Sequence, residues 1–361
     1  MDPAFVMRLP GGRSCPVYSG GYAPAAIVGA WDPAWRQGVV IGDRNTAGRF
    51  GGAIAGAIEP FVRSTLVLDF PAGETNKTRE TKANLEDAML AAGVDRDACV
   101  VAVGGGIALD VAGFVAATYL RGVAHVNVAT TLLAQVDAAI GGKTGVNTPR
   151  GKNLVGAFRQ PAAVFLDHAA LSSLPDAEWR NGLAEAVKHA VIAGEDLFAE
   201  VEGIAASPRS LSPKLLVRLA AVKARVVEAD ETERGLRAVL NFGHTAGHAI
   251  EAATRHSVPH GAAVAAGMVV EAIVASRLGS FPEASVDRLR AVLRTIGLPA
   301  SPPVPFALAE PWLAADKKGR EGEVRCALPR RIGEMEPGDG LYTVPVPAAV
   351  LADAWERACS A

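Results

Sequence analysis

The chain of 361 residues is long enough for two domains, and 50% apolar against 20% charged residues supplies a sizeable core and argues against wholesale disorder. Lys and Arg number 36 against 38 Asp and Glu, a formal charge of −2 that speaks against a nucleic-acid surface. Four widely spaced cysteines, Cys15, Cys99, Cys326 and Cys359, speak against a disulfide scaffold or a thiolate zinc site and fit a cytoplasmic chain.

In chain order, the six residues before Met7 read as a leader outside the fold, without the layout of a secretory signal. Short β-branched runs at 38–42, 64–69, 99–104, 124–128 and 162–166 predict buried strands. Residues 46–58, 77–92 and 107–120 carry apolar side chains at helical spacing between them. Such alternation predicts a parallel sheet with helices on its faces. After Asp167 the character changes. Residues 178–192, 213–230, 242–254 and 262–278 are Ala-rich and helical in period, and no strand is expected before 323–328. A Pro-rich stretch at 299–311 reads as a connector. The longest apolar stretch, 262–275, is short and broken by Glu271, so no membrane span is expected. The fold class is therefore α/β, with a parallel-sheet domain over 1–167 and an α-helical domain over 168–361.

Val101-Ala-Val-Gly-Gly-Gly-Ile-Ala-Leu-Asp110 is a strand, a glycine turn and a helix start. Glycines let a phosphate approach the backbone, and a helix N-terminus offers N–H groups. A plain tight turn is the competing reading, because Leu109 occupies the third position of the usual dinucleotide fingerprint. Asp43, Glu74 and Lys77 are candidate ribose or adenine contacts, or ordinary loop residues.

His244 and His248 lie four apart, on one helical face, and His260 begins the next helical stretch. With Glu185, an acid set among Leu183, Ala184, Ala186 and Val187, they offer imidazole and carboxylate donors for an open divalent site. The alternative is a pair of surface histidines and a solvated acid. Gly141-Gly-Lys143 and Gly151-Lys-Asn153 set cations and an amide among glycines, a pattern suited to a phosphate or polyol. Lys188, Lys223, Arg237 and Asn241 add donors in the helical half.

Taken in order, these segments closely resemble the 3-dehydroquinate synthase family of sugar-phosphate cyclases. The resemblance rests on Gly104-Gly-Gly through Asp110-Val-Ala-Gly-Phe, Tyr119-Leu-Arg-Gly122, Thr130-Thr-Leu-Leu-Ala-Gln-Val-Asp137 and Gly141-Gly-Lys-Thr-Gly-Val-Asn147. It continues through Gly151-Lys-Asn-Leu-Val-Gly-Ala-Phe158, Gly182-Leu-Ala-Glu-Ala-Val-Lys188, Leu240-Asn-Phe-Gly-His-Thr-Ala-Gly-His-Ala-Ile-Glu251 and His260-Gly.

The resemblance implies a Rossmann-like domain holding NAD and a helical domain holding Zn²⁺ or Co²⁺. It matches Glu185, His244 and His260 to the metal ligands. Asp43, Asn45, Glu74, Lys77, Gly105, Gly106, Asp110, Thr130 and Thr131 match the NAD region. Asp137, Lys143, Lys188 and His248 match catalytic groups, and Lys152, Asn153, Lys223, Arg237 and Asn241 match substrate and phosphate contacts. Arg121 matches a residue that reaches a neighbouring subunit, which implies a homodimer, and one of Lys317 and Lys318 contributes too.

The implied reaction converts 3-deoxy-D-arabino-heptulosonate 7-phosphate to 3-dehydroquinate and phosphate, in the shikimate route to aromatic amino acids. NAD oxidises a hydroxyl transiently, phosphate leaves by elimination, the ketone is reduced again, and an aldol step closes the ring. Three departures from the family pattern stand out: Leu109 and Ala177, where Gly and Arg are usual, and Ala262, which removes an outer carboxylate next to His260-Gly. They leave room for a sibling cyclase such as an aminodehydroquinate synthase. A zinc-dependent polyol dehydrogenase and a silent NAD-binding protein are the competing classes.

Overall fold

The computed structural model describes residues 2–21, 23–317 and 323–360, with side chains for all of these but 314–317. Two compact units result, Met1–Leu174 and Pro175–Ala361. The division falls seven residues after the expected one, between 174 and 175 rather than 167 and 168. Asp167 accounts for the extra turn: its carboxylate accepts the N–H groups of Ala23, Ala169 and Ala170, which ties residues 169–173 to the first unit.

The first unit begins with β1 (Phe5–Leu9), β2 (Arg13–Gly20) and α1 (Ala23–Gly29). Next come β3 (Gln37–Asp43), α2 (Arg44–Thr46), α3 (Gly52–Ile58), β4 (Ser64–Phe70), α4 (Arg79–Ala91), β5 (Ala98–Gly104) and α5 (Gly106–Thr118). β6 (Ala124–Ala129), β7 (Lys143–Thr148), β8 (Gly151–Phe158) and β9 (Val164–Asp167) complete it. Seven strands form one sheet in the order β1-β2-β9-β6-β5-β3-β4, parallel except for the β1–β2 pair. β5 is buried at every position, as a strand covered on both faces must be. Trp31, Ile54, Ile58, Val101, Val128 and Phe165 belong to the core on one face.

Two hairpins were not expected. β1 pairs with β2 from Phe5↔Val17 to Leu9↔Arg13, so Phe5 and Val6 of the supposed leader belong to the sheet, and Met7 and Cys15 are fully buried. β7 and β8 form a separate antiparallel pair that packs on α5. It carries Lys143, Lys152 and Asn153.

The second unit contains α6 (Asp176–Ala193), α7 (Glu195–Ile204), α8 (Pro213–Ala229), α9 (His244–Ala253), α10 (His260–Arg277), α11 (Glu283–Ile296) and α12 (Phe306–Lys317). Short strands β10 (Val324–Cys326), β11 (Pro329–Arg331), β12 (Glu334–Met335) and β13 (Val344–Val346) precede α13 (Ala348–Ser360). They pair β10 with β13 and β11 with β12. α10 is the central helix, buried from Ala263 to Ala275 and packed by α6, α9, α11 and α13. The expected connector is partly helix: α12 starts at Phe306 and holds Pro311, with Ala309 and Leu313 buried beneath it. Among the described residues, no helix is long and apolar enough to cross a membrane.

Candidate metal and substrate centre

Three helices of the second unit supply one cluster. Glu185 sits mid-way along α6, 1% exposed, where Leu183, Ala184, Ala186 and Val187 are also buried. An isolated carboxylate there would be costly, and Lys188, itself 2% exposed and one turn onward, forms an ion pair with it. His244 opens α9, and the turn after α9 returns the chain so that His260 opens α10. Glu185 Oε1 lies 3.6 Å from His244 Nε2 and 3.5 Å from His260 Nε2. Two ligands of a tetrahedral ion with bonds of ~2.1 Å stand ~3.4 Å apart, so the spacing suits one small divalent cation.

The tautomers agree with that geometry. His244 Nδ1 is 3.3 Å from the carbonyl of Phe242, which can only accept, so Nδ1 donates and Nε2 presents its lone pair. His260 Nδ1 is 3.3 Å from Glu251 Oε2, and again Nε2 faces Glu185. Burial, and then the Lys188 ammonium, hold the His244 pKa well below the usual imidazole value. Burial also opposes a charge on His260, but hydrogen bonds and negative charge from Glu185 and Glu251 outweigh it and lift its pKa to about 9. His248 stands one turn along α9, its ring 5.3 Å from that of His244 and 6.3 Å from that of His260. It lies outside the donor group formed by Glu185, His244 and His260, whose ligand atoms all fall within 4.8 Å of one another.

α9 and α10 approach at backbone contact. A Cβ on Gly267 would stand 2.1 Å from the carbonyl oxygen of Gly243 and 2.7 Å from the Gly247 nitrogen. The closeness lets Glu271, fully buried on α10, accept the N–H groups of Gly243 at 2.7 Å and Ala246 at 3.0 Å. It thereby caps the first turn of α9, which carries His244 and has no side-chain cap of its own. Burial lifts the Glu271 pKa to about 8, although the N–H groups of Ala246, Gly243 and Thr245 pull it down.

The other two candidate cations of this unit are also enclosed. Lys223 on α8 is 8% exposed and Arg237 1% exposed. Asp230 organises the loop that carries Arg237, accepting the N–H groups of Arg234, Gly235 and Arg237 at 3.0, 2.8 and 3.0 Å. The Arg237 guanidinium donates to the carbonyl of Glu231, and Asn241 donates to Glu233. Sequence reading missed Asp230, Glu233, Glu251 and Glu271. Only Glu251 carried a signal, seven residues after His244 and so on the same helical face.

In the α/β unit, β5 ends at Gly104, whose φ of 150° and Cβ position, 2.6 Å from the Ala108 Cβ, admit only glycine. α5 starts at Gly106 with no side-chain cap, which leaves its first N–H groups available to a phosphate. Leu109 turns into the core, 2% exposed. Thr130 donates its N–H to Gly104 O, and Thr131 Oγ1 accepts from Ala134. Asp43 caps α2 through Asn45, Thr46 and the Thr46 hydroxyl, so its carboxylate has a local structural task as well.

Lys77, 4% exposed, is a hub: its ammonium reaches Asp110 and Asn153, each at 2.5 Å. Glu74 accepts from Asn147 at 2.7 Å, and Asn147 accepts the N–H of Asn153 at 3.0 Å. The loop after β4, α5 and the β7–β8 hairpin are thus joined. Asn153 adopts φ 55° there. Asp137 lies in the wide turn before β7, half-buried, and Lys143 and Lys152 flank the hairpin's ends. Arg121 is apart from these groups, at the far end of α5, about 20 Å of helix from Gly106. Of the lysine pair, Lys318 and the side chain of Lys317 lie outside the described residues.

Residues 67–181 match the family described as 3-dehydroquinate synthase N-terminal, and residues 182–319 match 3-dehydroquinate synthase C-terminal. A 3-dehydroquinate synthase from Symbiobacterium thermophilum is 44% identical over 331 residues, covering 89% of this chain and 92% of its own. The chain belongs to the 3-dehydroquinate synthase family. Among solved structures, a 2-deoxy-scyllo-inosose synthase complexed with carbaglucose-6-phosphate, NAD⁺ and Co²⁺ is 28% identical, with TM-score 0.88 and 98% of each chain covered. A 2-epi-5-epi-valiolone synthase from Streptomyces hygroscopicus with NAD⁺ and Zn²⁺ bound is also 28% identical, with TM-score 0.85 and 96% and 97% covered.

Proposed function

We propose that this member of the 3-dehydroquinate synthase family converts 3-deoxy-D-arabino-heptulosonate 7-phosphate to 3-dehydroquinate and phosphate, using NAD and Zn²⁺ or Co²⁺. The observation that carries the reading is the convergence of Glu185, His244 and His260 beside the buried ammonium of Lys188. Two imidazole nitrogens and one carboxylate fit either cation and leave coordination positions open. Bound NAD would supply a reversible hydride acceptor, and a cation held by Glu185, His244 and His260 would supply Lewis acidity.

This chain's own groups do the rest. In the α/β unit, the N–H groups at Gly105 and Gly106 receive the cofactor's phosphates, and Asp43, Asn45, Glu74, Lys77, Asp110, Thr130 and Thr131 hold its remainder. Lys143, Lys152, Asn153 and Asp137 are that unit's contributions to substrate. In the helical unit, Lys188 pairs with Glu185, while Lys223, Arg237 and Asn241 bind phosphate and hydroxyl groups. His248, outside the donor group, relays the proton between hydroxyl and phosphate oxygens. Arg121, remote from its own unit's cofactor residues, serves a second copy in a homodimer. Four free cysteines, Cys15, Cys99, Cys326 and Cys359, agree with a cytoplasmic setting.

The test is stoichiometry. With the heptulosonate phosphate in large excess over NAD, one phosphate and one dehydroquinate should form per substrate consumed, with NADH never exceeding the enzyme sites. NADH accumulating one-for-one, with phosphate still bound to carbon, would make the protein a polyol dehydrogenase.

A further inference from the structure

We propose that Glu251 is a positioning residue that fixes the His260 ring for metal binding, an inference resting on the metal site proposed above. Glu251 follows His244 by seven residues on α9, two turns onward, so it shares the face that carries His244 and His248. It is 3% exposed, and its Oε2 lies 3.3 Å from His260 Nδ1. The two donor histidines differ in how Nδ1 is held. His244 uses the carbonyl of Phe242, a backbone group that no substitution removes, whereas His260 depends on a side chain.

The same residue also shapes the approach. Its carbonyl accepts the N–H of His256 at 2.7 Å, closing a turn in which Arg255 and His256 adopt φ of 51° and 59°. That turn delivers His260 to the head of α10. Glu251 therefore holds both ends of the problem: its backbone folds the return and its carboxylate stops the ring from rotating. A carboxylate accepting Nδ1–H also raises the basicity of Nε2, the nitrogen that faces Glu185.

The experiment measures Zn²⁺ and Co²⁺ dissociation constants of the metal-stripped full chain by chelator competition, with the visible spectrum of the Co²⁺ form. Glu251→Ala should weaken both metals roughly 10- to 100-fold and alter the Co²⁺ bands, and Glu251→Gln, which keeps an acceptor oxygen, should fall between. In a His260→Ala background, Glu251→Ala should change the residual affinity less than about twofold, because the ring it positions is gone. Wild-type affinity and spectrum in Glu251→Ala, with His260→Ala losing metal, would overturn the positioning role alone. Undiminished metal binding by His260→Ala would instead overturn the metal site. Should Glu251→Ala fail to fold, Glu251→Gln decides in the same way, and wild-type binding by it overturns the role.

Discussion

Replacing Gly267 by Ala tests whether the donor set depends on the α9–α10 contact. The added Cβ would meet the Gly243 carbonyl oxygen at 2.1 Å, against an ordinary contact of at least 3.4 Å, so the helices must part by about 1.3 Å. Backbone atoms on both sides cannot swing aside as a flexible side chain would. Overpacking of this kind costs about 1–3 kcal/mol, and the upper end applies. Ala in place of Gly within a helix returns about 1 kcal/mol, leaving a net loss of about 2 kcal/mol. Parting the helices also stretches the Glu271 bonds to Gly243 and Ala246, and it moves His244 relative to His260. Chemical unfolding should therefore show a lower midpoint at unchanged slope, and Zn²⁺ affinity of the folded chain should fall at least tenfold. A Gly267→Ala chain that gains stability and keeps its metal affinity would refute the reasoning, since propensity alone would then have decided the outcome.

Three further outcomes are expected. Elemental analysis should find His244→Ala nearly metal-free and His248→Ala close to fully loaded, because only the former removes a donor. Lys152→Ala should weaken a phosphonate substrate analogue roughly ten- to hundredfold, from about 1.5–3 kcal/mol for a charge-assisted contact, while sparing a ligand that lacks the group. His125, buried on β6, is held neutral by burial and the Arg159 charge, its pKa lowered to about 3. Unfolded His titrates near 6.5, so its contribution is complete above that pH and is lost as pH falls toward 3. Between pH 7 and 5 the loss is about 2 kcal/mol, and denaturant titrations of His125→Gln should lack that share of the wild-type decline.

Much of the parallel sheet was legible because β5, covered on both faces, reads as an unbroken apolar run, and β3 and β6 keep β-branched residues at their centres. β8 was not, since Gly151–Phe158 alternates half-buried and exposed positions and holds Lys152 and Asn153, a pattern that resembles a polar loop. β1 escaped because it follows Asp2 and Pro3 and its residue types, Phe-Val-Met-Arg-Leu, alternate little although its burial does. α12 escaped because Pro311 reads as a break. At the site, His244 and His248 announced themselves by spacing within one helix. Lys77 could not announce its bonds to Asp110 and Asn153, which lie 33 and 76 residues away in sequence. Nor could Asp230 reveal that it pins the backbone of Arg237, because loop geometry leaves no periodic trace.

The sheet order also constrains how the chain can be made. β2 finds its parallel partner in β9, from Val17↔Val164 to Gly20↔Asp167, so the strand formed second waits for the last. At synthesis rates of about 5–20 residues per second, the 143 residues between Gly20 and Val164 take roughly 7–30 s to emerge. Through that interval the β1–β2 hairpin lacks its parallel neighbour, and once made β6 lacks the same strand on one side. Nascent chains should then carry open strand edges long enough to meet a chaperone or one another. Translation stalled before residue 164 should yield an aggregation-prone, protease-sensitive product, and stalling that exposes β9 should abolish both properties together.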